Sequence, residues 1–142
     1  MMKPRSNPCS VMEQIKGRAA ENFFFRSLQL FAVNVHEYPK WIHDVRRASA
    51  EEDRRGIDFI VTTDAGEINV QIKSSLGWAR NYIKNHRNVR FNICIIVLAR
   101  NDTHISLFQR TRTVLAKRRQ QMLLGTTPRF LLSAPPLPTA AP

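Results

Sequence analysis

Apolar residues recur at alternate positions twice within a short span of the chain: Ile57, Phe59 and Val61, then Ile68, Val70 and Ile72. Successive side chains of a strand point to opposite faces, so each set predicts a half-buried strand. Thr63-Asp64-Ala65-Gly66 between them has turn chemistry and predicts a four-residue loop closing a hairpin over 57–73. That loop sets Ile57 against Ile72, Phe59 against Val70 and Val61 against Ile68. On the other face it sets Asp58 against Gln71, with Lys73 two residues on. A carboxylate, an amide and an ammonium then share one patch of sheet.

Upstream, the pattern is helical from about Val11 to Phe31. Met12, Ile15, Ala19, Phe23 and Leu30 fall near one stripe, widened by Ala20, Phe24 and Phe31, with Glu13, Lys16, Arg18, Asn22, Arg26 and Gln29 on the other side. Glu21 sits at the edge of the stripe, one turn after Gly17, where a missing side chain permits close approach. The β-prone Val33-Asn34-Val35-His36 predicts an edge strand, and residues 43–56 a charged connection. Downstream, Ser74-Ser75 offers an N-cap, and Leu76, Ala79 and Ile83 predict a helix to about Asn85. Phe91 to Ala99 is nearly all apolar and predicts an interior strand covered on both faces. His104 to Phe108 reads as a short strand. Thr111 to Leu124 reads as a helix with Val114, Leu115, Met122 and Leu123 inward and Lys117-Arg118-Arg119 outward, ended by Gly125. Residues 1–10, and 126–142 with five prolines after Thr127, are expected to lack regular structure. The result is one α/β domain over residues 11–125, a central mixed sheet flanked by helices.

At 142 residues and 43% hydrophobic content the chain builds a single core without staples. It has no apolar run of about 18 residues, so no membrane span, and no apolar segment after Lys3 and Arg5 to act as a secretory signal. Cytoplasmic residence is the expectation. Cys9 and Cys94 make no disulfide framework, and Cys94 reads as a small buried hydrophobe. His36, His43, His86 and His104 lack metal-ligand spacing, and neither a phosphate-binding glycine loop nor a Ser-His-Asp set stands out. The net charge of +11 changes the picture more, because it is lopsided. Ten of the eleven acids lie at or before Glu67, whereas residues 74–142 hold 11 basic side chains against Asp102 alone. A polyanion is the expected partner, nucleic acid first.

A helix bearing Glu21, a strand entered through Gly56-Ile57-Asp58, a turn, a strand ending in Gln71-Ile72-Lys73, then a helix and an apolar strand follow in order over residues 12–99. This arrangement resembles the PD-(D/E)xK nuclease superfamily, which includes restriction endonucleases, archaeal Holliday-junction resolvases and repair nucleases. The resemblance implies a restriction-endonuclease-like core in αβββαβ order and metal-dependent hydrolysis of phosphodiester bonds in DNA. Asp58 would bind Mg²⁺, with Mn²⁺ as a substitute, since a hard cation prefers oxygen ligands. Gln71 stands where the family has an acid, as in Gln-x-Lys members resembling Mrr-type restriction enzymes, and weakens metal affinity by one charge. The Ile72 carbonyl would complete the ligands, and Glu21 would act through water or on a second metal. Lys73 would stabilise charge on the attacking water or the phosphate. Dimerisation, common in such nucleases, would place two sites on two strands.

Arg54, Arg55, Arg80, Lys84, Arg87 and Arg90 are the expected nucleic-acid contacts near the site, and Arg110, Arg112, Lys117, Arg118 and Arg119 a second basic surface. Most would touch phosphate. Trp78 and Tyr82, a helical turn apart, either stack on bases or pack their helix. Asp53 is either a solvated loop residue or a support for the loop beside Asp58, and Gly56 would admit the nucleic-acid backbone. Two other readings stay open: a nuclease-fold binding module that has lost its chemistry, and an RNA-directed enzyme of the same fold.

Overall fold

The computed structural model describes residues 8–33, 38–86, 92–126 and 128–135, with side chains from Gly17 onward. In chain order they form α1 (Pro8–Ala32), β1 (Ile42–Arg47), α2 (Ala50–Arg54), β2 (Phe59–Thr63), β3 (Gly66–Lys73), α3 (Leu76–Asn85), β4 (Ile93–Val97), α4 (His104–Leu124) and β5 (Phe130–Ser133). The five strands lie side by side in sequence order; β1, β2 and β3 are antiparallel neighbours, and the β3–β4 and β4–β5 pairs are parallel. This is an α/β fold with an open mixed sheet flanked by helices.

The hairpin has the expected register, with Phe59 paired to Val70 and Val61 to Ile68. Thr63 Oγ1 closes its turn, donating to Gly66 O at 2.7 Å and accepting from Ala65 N at 3.1 Å. One sheet face carries Phe59, Val61, Val70, Ile72, Cys94 and Ile96 against Ala20, Phe24 and Leu28 of α1 and Leu107, Phe108 and Leu115 of α4. The other carries Ile93, Ile95 and Val97 beneath Ala79 and Tyr82 of α3. β4 is therefore buried along its whole length, which is why its sequence is apolar without alternation. Ser75 caps α3, accepting from Trp78 N at 3.2 Å.

Several sequence expectations need correction. The buried stripe of α1 is centred on Ala20, Phe24 and Leu28, one position round from the predicted stripe, and leaves Leu30 46% exposed. A Cβ at Gly17 would meet no atom of the described residues within 4 Å, so none of them uses the space. Of the predicted edge strand, Val33 lies in a turn and residues 34–36 fall outside the described residues. The edge strand is β1, within the segment read as a connection, and α2 follows it behind a capping box in which Ser49 Oγ accepts from Glu52 N and Glu52 accepts from Ser49 N. β1 buries only Ile42 fully, and a bulge between Ile42 and Asp44 breaks its alternation. His104 to Phe108 is not a strand but the first turns of α4, capped by Thr103 Oγ1. The segment after Thr126 contributes β5, paired to β4, and α1 begins inside the first ten residues.

Arg118 is the largest departure. Expected on the solvent face, it is 1% exposed. Its Nε donates to Cys94 Sγ at 3.4 Å, Nη2 to Ile93 O at 3.1 Å, and Nη1 to Gln121 Oε1 at 3.3 Å and to Pro128 O. It joins α4, β4 and the lead into β5. Among the described residues, no helix is long and apolar enough to cross a membrane.

Candidate active site

The open end of the hairpin is built on main chain. Asp58, just before β2, donates its N–H to Val70 O at 2.8 Å, and its carbonyl accepts from Ala48 N at 2.9 Å. Its carboxyl Oδ2 accepts from Ile72 N at 2.8 Å. Backbone on two strands thus aims a buried acid at the inside of the site. One step beyond the ladder, the same register sets Gln71 beside it. Gln71 is buried, and its Oε1 has no hydrogen-bond partner among the described residues.

Glu21 reaches the same neighbourhood from α1, close enough for its charge to raise the Asp58 carboxyl. Like charges that feel one another oppose joint ionisation. Burial and the neighbouring Glu21 charge push Asp58 up to about 7, against the pull of the Ile72 N–H and of Lys73. Burial, then the charge of Asp53, raises Glu21 as well. Lys73 is half-buried, and desolvation lowers its pKa while Asp58 and Glu21 act to hold its proton. Its Nζ lies 4.9 Å from the centre of the Tyr82 ring. Three of the sequence candidates, Glu21, Asp58 and Lys73, thus act on one another electrically, and Gln71 adjoins them. Ile72 meets the site through its amide, bound to Asp58.

Tyr82 is the floor. It is 6% exposed and its Oη donates to Gly56 O at 3.0 Å, which settles packing over base stacking for this residue. Its phenol is pushed up by burial and by Asp58. His86 stacks on the same ring at 4.1 Å. Gly56, at φ +87°, has room for a hydrogen only: a Cβ would sit 2.4 Å from Tyr82 Oη. Gly56→Ala should therefore cost at least about 2 kcal/mol in chemical denaturation. Adding Tyr82→Phe should recover part of that loss, because it removes the closest atom.

Three site neighbours escaped the sequence reading in whole or in part. Arg47 of β1 donates to Asn22 Oδ1 at 2.8 Å, lies over the Phe25 and Phe59 rings, and steadies the Glu21 carboxylate. No signal marked it, because its strand has no periodicity. Asp53, on α2, is close enough to raise both Glu21 and Asp58, so it belongs to the site's surroundings rather than to a remote loop. Tyr82 was visible only as an aromatic at helical spacing.

The basic residues divide. Arg54, Arg80, Lys84 and Lys117 are exposed. Arg55 is also exposed but pairs with Glu51 at 3.0 Å. Arg119 pairs with Asp64 at 2.6 Å, Arg110 with Asp102, and Arg112 lies over Phe108. Arg118 is buried and faces carbonyls, so it offers nothing to a phosphate. Arg87 and Arg90 fall outside the described residues.

Among the described residues, no three His, Cys, Asp or Glu side chains form a ready-made metal cluster. The donor set here is different: two carboxyls of raised pKa and an amide oxygen without a partner among the described residues, all hard oxygen ligands of the kind a divalent cation takes. The residues fit such an ion. The chain matches no family model, no curated protein and no solved structure, so its own geometry carries the functional reading.

Proposed function

We propose that the protein is a divalent-metal-dependent endonuclease acting on DNA, built on a restriction-endonuclease-like core. The observation that carries this is the buried Asp58 with half-buried Glu21 acting on it, beside Gln71 Oε1 and the half-buried Lys73. A buried acid with a raised pKa costs stability, and such groups cluster at functional sites.

Asp58, Glu21 and Gln71 would hold Mg²⁺ through their oxygens. A bound cation supplies Lewis acidity toward a phosphate and a more acidic water. The chain's own part is electrostatic. The Ile72 amide fixes the Asp58 carboxylate, and Tyr82 holds Lys73 so that its ammonium meets the charge that grows on a phosphate during hydrolysis. Exposed Arg54, Arg80 and Lys84 supply phosphate grip without reading sequence.

The test is a panel of linear duplex, single strand, branched junction and RNA with Mg²⁺ or Mn²⁺. Cleavage of at least one DNA substrate is expected, lost with chelator and reduced at least about 10²-fold in Lys73→Ala. Salt-sensitive binding with no cleavage of anything would favour a binding module, the reading that Gln71 in place of an acid supports. The pH profile gives a second check. At low Mg²⁺ Asp58 must lose its proton before the ion binds, so cleavage should fall as pH drops below about 7, and saturating Mg²⁺ should move the fall to lower pH. Glu21→Gln removes a charge that raises Asp58 and should move that fall to lower pH.

A further inference from the structure

A cavity of about 550 Å³ opens at the carboxyl ends of β3 and β4, against the proposed site. Ligands of open α/β sheets settle at such strand ends, and the size is that of a small-molecule pocket. Its near wall is Ser74 and Ser75, the residues that follow Lys73, and Leu98 N donates to Lys73 O at 2.8 Å. The cavity therefore adjoins the site through Ala20 and Ser74, the chain neighbours of Glu21 and Lys73.

Its lining is aromatic and apolar. Ala19, Ala20 and Phe23 come from α1 on one face of the sheet, Trp78 from α3 on the other, and Leu98 from the end of β4. Trp78 is 45% exposed while its helix neighbours Ala79 and Tyr82 are buried, so the indole is not needed by the core. Ser75, accepting from Trp78 N, holds it on the first turn of α3. The rim is positive: Arg100 lines the cavity and is exposed, and exposed Arg18 precedes Ala19. Asp102 also lines it, but its carboxylate is engaged by Ala99 N at 2.7 Å, Ser106 Oγ at 2.8 Å and Arg110. An apolar slot with a free aromatic face and a cationic rim is chemistry for a flat π system carried on a phosphate chain.

We infer that this cavity receives an unpaired nucleobase next to the phosphate to be cleaved, so that the substrate is single-stranded or branched nucleic acid rather than continuous duplex. The inference rests on the nuclease reading above. A paired base cannot enter without leaving its stack, which costs a few kcal/mol, whereas a base at a junction, flap or single strand enters freely.

The test compares a labelled single strand and its duplex by fluorescence anisotropy in chelator, then by cleavage with Mg²⁺, for the wild type, Trp78→Ala and Trp78→Phe. The wild type should favour the single strand. Trp78→Ala should weaken single-strand binding about 5- to 100-fold, the range of one base–aromatic stack. It should change duplex binding less than about 2-fold, with an unaltered melting temperature. Trp78→Phe should retain most of the affinity. Equal effects on both forms, or none, would overturn the inference; if the wild type still cleaves duplex under Mg²⁺, the nuclease reading survives. A wild type that neither binds nor cleaves any nucleic acid would overturn both.

Discussion

Asp58→Asn should abolish cleavage and, at alkaline pH, make the protein more stable. The acid titrates near 7 in the folded protein and near 3.8 when unfolded. Between those values the folded state holds a proton that the unfolded state has released. Stability from this group is therefore greatest at low pH and declines as pH rises through the window, by about 4 kcal/mol at most. Asparagine carries no such penalty and keeps an oxygen for the Ile72 amide. Denaturant titrations at pH 8 should show Asp58→Asn about 1–3 kcal/mol more stable than the wild type, with the difference shrinking or reversing near pH 4. Wild-type stability at pH 8 should rise with added Mg²⁺ and the variant's should not, since only a paired carboxylate rewards the ion. A variant less stable at both pH values would mean that Asp58 is a structural acid and not part of a metal site.

Arg118→Ala should be among the most damaging substitutions in the chain. The guanidinium is buried, and among the described residues its acceptors are the neutral Cys94 Sγ, Ile93 O, Gln121 Oε1 and Pro128 O. Truncation leaves two main-chain carbonyls without their donor and opens a cavity under α4. Each orphaned buried group costs about 1–3 kcal/mol, and the cavity adds to it. A loss of about 3–5 kcal/mol is expected by chemical denaturation, against less than about 0.5 kcal/mol for the adjacent exposed Lys117→Ala. Equal, small effects at both positions would place Arg118 in solvent. Arg118→Lys should recover little, because one ammonium cannot reach acceptors on three segments.

The contrast between these neighbours shows what the sequence could reveal. Leu107, Phe108, Thr111, Val114 and Leu115 are the buried positions of α4, and Arg118 continues that spacing. The period was present, but a run of three cations looked like a solvated face. His104 to Phe108 misled in the same way: over five residues it alternates, and only a window reaching Arg118 shows the helical repeat. The hairpin was legible because two alternating strands and a turn agree on one register, and that register brings Asp58 to Gln71. β1 was not, since an edge strand with a bulge and charges on both faces has no hydrophobic signal to read. β5 is four residues long and set among prolines. Glu21 and Asp53 meet Asp58 only through tertiary packing of α1 and α2. Their place follows from side chains buried elsewhere on those helices.

Metal-dependent nuclease activity is decided by single-turnover cleavage of single-stranded and branched DNA, with Mg²⁺ at pH 8, when wild type and Lys73→Ala are assayed together. The wild type should cleave in a chelator-sensitive way, and a Lys73→Ala protein that binds the same DNA and melts at the same temperature should cleave at least about 10²-fold more slowly. Equal cleavage by the two proteins, or none by either under Mg²⁺ or Mn²⁺, would contradict the nuclease reading of this site.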